Sequence, residues 1–418
     1  MELIREKMDQ LFNSFFIGGF ECADHINRSG DRIDLLAETE HDIRVDEDYG
    51  LLQSIGIKTV REGIRWSLVE ASKEVYHFSS LLERMRSAEK HGIQILWDLC
   101  HFGYPDDLSP THPKFHTRFA QLCRAFAQFW KANSEQDLIV TPINEISFLS
   151  WHSGDMRGTV PFAVHSGWDI KYHLCRAAIE GIKAVKEIIP DCRIMLVEPI
   201  IKVHPRHEND DQDHISRMNQ DQYQAMDIIA GRICPELGGS PELMDILGFN
   251  YYYNNQWKFC EGHLDWWPEK CPSRVSFSTM LEEAWERYHK PVVLTETGHW
   301  GDDSMAKARW IEEIGAECME AMDAGVDLRG ICIYPVVDRP DWDNLEDYSH
   351  CGLWHLDENK NRVPDLLYLG KFTQLAHKFE EWNRRHLSVS FNQIQLMATS
   401  VAGQPQEASQ LAETGSFI

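Results

Sequence analysis

Residues 79–100 read Ser79-Ser80-Leu81-Leu82-Glu83-Arg84-Met85-Arg86-Ser87-Ala88-Glu89-Lys90-His91-Gly92-Ile93-Gln94-Ile95-Leu96-Trp97-Asp98-Leu99-Cys100. The first thirteen predict a helix, with cap-type serines at its start and Gly92 as the stop. The run from Ile93 to Cys100 is nearly continuous in apolar residues, as a parallel strand covered on both faces should be. Seven more such runs occur: Phe15 to Phe20, Lys58 to Ile64, Leu138 to Ile143, Arg193 to Ile200, Met244 to Tyr251, Val292 to Thr295 and Gly330 to Tyr334. Helical patterns lie between them, at Lys114 to Trp130, Trp168 to Ile189, Ser276 to His289 and Ala306 to Ala324. Strand and helix alternating eight times imply an α/β protein, a single (β/α)8 TIM barrel.

The barrel is expected over residues 1–386, without a second domain. From 387 to 418 the chain turns to Ser, Gln, Ala and Gly without an apolar face, so a mobile C-terminal tail is expected. The acidic run Asn209 to Asp213 reads as a solvated loop.

Composition narrows the function. The 418 residues carry a formal net charge of −25, which repels nucleic acid and anionic membranes. A neutral ligand is indifferent to that charge, and with 14 Trp, 12 Tyr and 19 Phe the chain is rich in aromatic rings, which suit flat apolar faces such as those of sugars. No run approaches the ~18 apolar residues of a membrane span, and the charged N-terminus lacks a signal core, so a cytoplasmic location is expected. The 11 cysteines are scattered without a CxxC, as free thiols are. His204, His207 and His214 lack tight ligand spacing, and neither metal nor cofactor is expected.

A TIM barrel carries its active site where the strands end. Strand four ends in Thr141-Pro142-Ile143-Asn144-Glu145 and strand seven in Leu294-Thr295-Glu296-Thr297-Gly298. A single Glu at a strand end is more often salt-bridged or solvated, but two at one mouth are the minimum equipment for glycoside hydrolysis. Glu198, after strand five, is a third carboxylate there, able to tune the acid or simply to pair with a cation.

With these motifs the sequence resembles clan A of the glycoside hydrolases, and most closely glycoside hydrolase family 1, the β-glucosidase and β-galactosidase family, from about Phe16 to Pro364. The family's Thr-Phe-Asn-Glu-Pro stands here as Thr-Pro-Ile-Asn-Glu-Ile, and its Thr-Glu-Asn-Gly as Thr-Glu-Thr-Gly. The resemblance implies a retaining β-glycosidase with Glu145 as acid/base and Glu296 as nucleophile, the carboxyls about 5 to 5.5 Å apart. It also implies that Arg61, Asn250 and Tyr252 support the nucleophile. His101, Asn144, Asp341 and Trp342 would bond sugar hydroxyls, with Tyr334 as the stacking platform. Before Pro335 a cis bond carries a small penalty, and Tyr334-Pro335 is expected to be cis.

Three recognition positions depart from the family: His25 stands for Gln, Asp341 for Glu and Tyr334 for Trp. The catalytic pair is kept. A transglycosidase on the same scaffold and a non-catalytic sugar-binding barrel are the alternatives; the second would not need both glutamates.

Overall fold

The computed structural model describes residues 11–261, 271 and 273–402, with side chains as far as residue 385. Eight strands, β1 (Phe16–Gly19), β2 (Thr59–Gly63), β3 (Gln94–Asp98), β4 (Ile139–Thr141), β5 (Arg193–Pro199), β6 (Ile246–Asn250), β7 (Val292–Thr297) and β8 (Leu328–Ile333), close into one barrel. Every strand pairs in parallel with its chain neighbours, and β8 pairs with β1. This is the expected (β/α)8 TIM barrel. The helices Ser79–His91, Phe115–Asn133, Gly167–Ile188, Phe277–Tyr288 and Ser304–Asp323 match the sequence patterns to within about three residues at each end.

One detail of the 79–91 helix differs from expectation. Its N-cap is Phe78, and neither serine caps it; the Phe78 ring packs on Phe126 and Phe129, so apolar packing fixes the entry of the chain. Gly92 takes the left-handed conformation (φ 65°) that a helix stop requires.

Alternation along the strands sorts side chains into two layers. Ile17, Leu96, Ile139, Met195, Val197, Ile246, Val293 and Cys332 point inward and form the barrel core with Phe12 and Tyr334. On β2 the inward position is Arg61, while its neighbour Glu62 faces the helices. There Glu62 accepts from Tyr49 Oη (2.7 Å) and Arg84 Nη1 (2.9 Å) and bonds His41 Nε2 (2.7 Å). His41 Nδ1 bonds Asp48 (2.7 Å), and Arg362 donates twice to Asp48 (2.6 and 2.8 Å). This buried network ties β2 to the helices His41–Ser54 and Ser79–His91.

Of the described residues, those up to Phe372, with the barrel, form one compact unit and those from Thr373 a second. The stretch expected as a tail from 387 is helical to Ala402, within the helix Leu366–Ala402, and lies outside the described residues from 403. No helix of the described residues is long and apolar enough to cross a membrane. All 11 cysteines are free, nine of them buried.

Candidate active site

Glu296 owes its position to an irregularity. The register of β7 shifts after Leu294 against both β6 and β8, so that Thr295 and Glu296, adjacent in sequence, both turn toward the mouth. Arg61, on the inner face of β2, donates from Nη1 to Glu296 Oε1 at 2.5 Å, and Tyr252, two residues beyond β6, donates from Oη to Oε2 at 2.8 Å. Each carboxylate oxygen thus has a donor. Burial, then the charge of Glu296, holds the Tyr252 phenol well above its ordinary pKa, so it keeps the proton it donates.

The rest of the Arg61 guanidinium is committed as well. Nε and Nη2 meet Asp98 at 3.1 and 2.8 Å, and Nη2 also donates to Asn144 Oδ1 at 2.6 Å. Asp98 Oδ2 bonds His101 Nδ1 (2.9 Å), and His101 Nε2 lies 3.3 Å from Asn144 Nδ2. One buried cation therefore fixes two carboxylates and an amide, and Asp98 fixes the imidazole in turn.

Glu145 lies across the mouth in a left-handed conformation (φ 45°, ψ 60°), as the N-cap of the helix Ile146–Gly154. Its partner is neutral: Asn250 Nδ2 donates to Oε1 at 2.9 Å, while Asn250 Oδ1 accepts from Thr295 Oγ1 at 2.7 Å. Asn250 thereby spans from Glu145 to the residue before Glu296. Loss of water around the carboxyl, and then the charge of Glu296, push the Glu145 pKa up to about 8. Glu198 adds to this rise. Its carboxylate accepts from Ser147 N on the same helix (3.1 Å), and burial lifts its own pKa to about 7.

No family model matches the sequence, and no curated protein is significantly similar to it. Solved structures are. The family 1 β-glucosidase from Thermotoga maritima in complex with isofagomine lactam has a TM-score of 0.67 at 17% identity over 81% of this chain and 87% of that one. The β-glucosidase of the same organism in complex with methoxycarbonyl-substituted glucoimidazole has a TM-score of 0.67 at 16% identity over 87% and 98%. In complex with cyclophellitol, the values are 0.67, 17%, 81% and 87%.

The chain has the fold of a family 1 β-glucosidase.

Against that fold, the structure brings together Glu145, Glu296, Arg61, Asn144, His101, Asn250 and Tyr252. Tyr334 joins them from the end of β8 through a cis bond to Pro335. Its ring is only 2% exposed and lies parallel to that of His101, with the Arg61 guanidinium carbon 5.6 Å from its centre. Gly19 makes room for it: a Cβ there would stand 2.2 Å from Tyr334 Cδ2. Trp342 and His25 pack edge to face (4.9 Å) beside Phe102. Burial lowers the His25 pKa to about 3, so its imidazole is neutral.

Asp341 is not drawn in. It is exposed, and its Oδ1 accepts from the backbone N–H groups of Asp343 and Asn344, closing its own turn. Sequence reasoning gave no role to Asp98, Glu21 or Arg339, all buried. Asp98 had a signal: it is the last inward position of β3, two residues beyond Leu96, the register partner of Arg61. Glu21 and Arg339 lie past strand ends, where alternation no longer shows which way a side chain turns.

Proposed function

We propose that the protein is a retaining β-glycosidase acting on a small neutral carbohydrate. Glu145 gives its proton to the glycosidic oxygen while Glu296 attacks the anomeric carbon, releasing the aglycone as an alcohol and leaving a glycosyl ester on Glu296. Glu145, now a carboxylate, takes a proton from water; the water oxygen attacks the anomeric carbon, Glu296 departs as carboxylate, and the sugar leaves with its β configuration. The steps balance without metal or cofactor.

The observation that carries this reading is the unequal surroundings of the two glutamates. Glu296 is paired with a buried cation, whereas Glu145 has only an amide and keeps its proton to about pH 8. Two carboxyls whose surroundings drive them apart are assigned as acid and nucleophile by that difference. The fold, shared with the family 1 β-glucosidase in complex with isofagomine lactam, supports the same conclusion.

Azide rescue tests it. Glu296→Ala should lose hydrolysis of activated aryl β-glycosides and regain turnover with azide as the inverted glycosyl azide. Glu145→Ala should be rescued to the retained azide. Wild-type rates in either variant, or rescue with the opposite stereochemistry, would contradict the assignment. Product analysis with added acceptor sugars separates hydrolysis from transglycosylation.

A further inference from the structure

Next to the catalytic cluster lies a second buried pair. Glu21, 5% exposed, follows β1; its Oε1 accepts from Ala23 N (3.1 Å) and faces Tyr334 Oη (3.4 Å) and His101 Nε2 (3.6 Å). Its Oε2 lies 3.4 Å from Nε of Arg339, a residue 3% exposed in the loop after β8. The Arg339 guanidinium carbon sits 3.9 Å from the centre of the Trp300 ring and 5.6 Å from that of Trp342, and Nη1 donates to Pro340 O at 2.8 Å. Trp300 meets Tyr252 edge to face (6.3 Å), which returns to Glu296.

The pair is incomplete. A close charge-assisted contact is about 2.7 to 2.9 Å, well short of the 3.4 Å found here. Among the described residues, Arg339 Nε, Trp342 Nε1 and both ring nitrogens of His25 are buried without a hydrogen-bond partner. Polar atoms so placed call for a ligand. They are linked by contact: His25 meets Trp342 edge to face, Trp342 lies beside the Arg339 guanidinium, and Arg339 beside Glu21, which faces His101 and Tyr334.

We propose that Glu21 and Arg339 form the hydroxyl-reading end of the sugar subsite, Glu21 accepting from and Arg339 donating to neighbouring hydroxyls of a neutral hexopyranose. His25 and Trp342 complete the set. The inference rests on Glu145 and Glu296 being the catalytic pair, which places the anomeric carbon. The pair supplies the buried carboxylate that Asp341, tied to its own turn, does not. Glu21 also decides the class of sugar. A lone buried Arg would recruit a uronate or sugar phosphate, but with Glu21 beside it, and Asp98 and Glu296 facing Arg61, a further anion is repelled.

The test uses the full chain and a panel of 4-nitrophenyl β-hexosides (gluco, galacto, manno, fuco), then the 3-, 4- and 6-deoxy forms of the best one and the β-glucuronide. In the wild type, loss of one hydroxyl should lower kcat/KM by about 100-fold or more, as expected where a site hydrogen-bonds a hydroxyl. In Glu21→Gln and Arg339→Gln, that discrimination should shrink to about 5-fold or less, with the change chiefly in KM, and Glu21→Gln should raise the glucuronide relative to the hexoside. Deoxy glycosides cleaved by the wild type as fast as the parent would overturn the proposal without any variant. So would full discrimination in both variants. If the wild type cleaves none of the panel, the catalytic reading has failed, and calorimetric titration with the same hexosides decides the subsite: no binding, or binding unchanged by Glu21→Gln, overturns it.

Discussion

Arg61 Nη1 meets Glu296 Oε1 at 2.5 Å, and the other edge of the same guanidinium is held by Asp98. The cation paired with Glu296 is therefore itself held, by Asp98 and Asn144. That asymmetry lets two glutamates at one mouth behave differently.

The pH profile should show it first. Glu145 is the acid only while protonated, so kcat/KM for an alkyl β-glycoside is expected to fall as pH rises through about 8. With a 2,4-dinitrophenyl aglycone, which leaves without help, the fall should be much weaker, and Glu145→Gln should lose it altogether. A steep fall that survives in Glu145→Gln would assign the limb to another group.

Tyr252 is the other donor to Glu296, at 2.8 Å. Tyr252→Phe leaves Oε2 without it, and a hydrogen bond to a charged group contributes about 1.5 to 3 kcal/mol. The variant should lose about 10-fold or more in kcat/KM. Unchanged kinetics in a folded Tyr252→Phe protein would remove Tyr252 from the site.

The network on the outer face of β2 makes a stability prediction. Burial opposes the Glu62 charge, but His41, Arg84 and Tyr49 outweigh it and lower its pKa from 4.5 to about 2. A carboxyl depressed on folding stabilises above its unfolded pKa and loses that contribution as pH falls through the folded one. From 4.5 to about 2 this amounts to about 3 kcal/mol, lost between about pH 5 and pH 2. Urea unfolding across that range should show Glu62→Gln less stable than wild type at pH 7 and with a shallower slope below pH 5. Parallel slopes would contradict the linkage.

The barrel was legible in the sequence because parallel strands covered on both faces must be apolar almost throughout, and all eight runs stand out. The segments carrying Glu145 and Glu296 were legible because they adjoin those runs. What escaped was set by packing and by irregular backbone. Two serines suggested a side-chain cap, but Phe78 on Phe126 and Phe129 sets the helix entry. The β7 register shift carries the strand to Thr297, beyond the expected end at Thr295, because alternation cannot show a bulge. Glu21 and Arg339, charged residues outside the barrel strands, look solvent-exposed until the fold buries them together. Asp341 fails to reach the cluster because its carboxylate is spent on its own turn.

The central claim, that Glu296 is a covalent nucleophile, is tested most directly by trapping. Incubation with 2,4-dinitrophenyl 2-deoxy-2-fluoro-β-glycosides of the gluco, galacto and manno series, followed by peptide mass spectrometry, should show release of dinitrophenolate in step with one glycosyl adduct on the peptide carrying Glu296. An adduct on another residue, or turnover of the parent glycosides with inversion and no adduct at all, would contradict it.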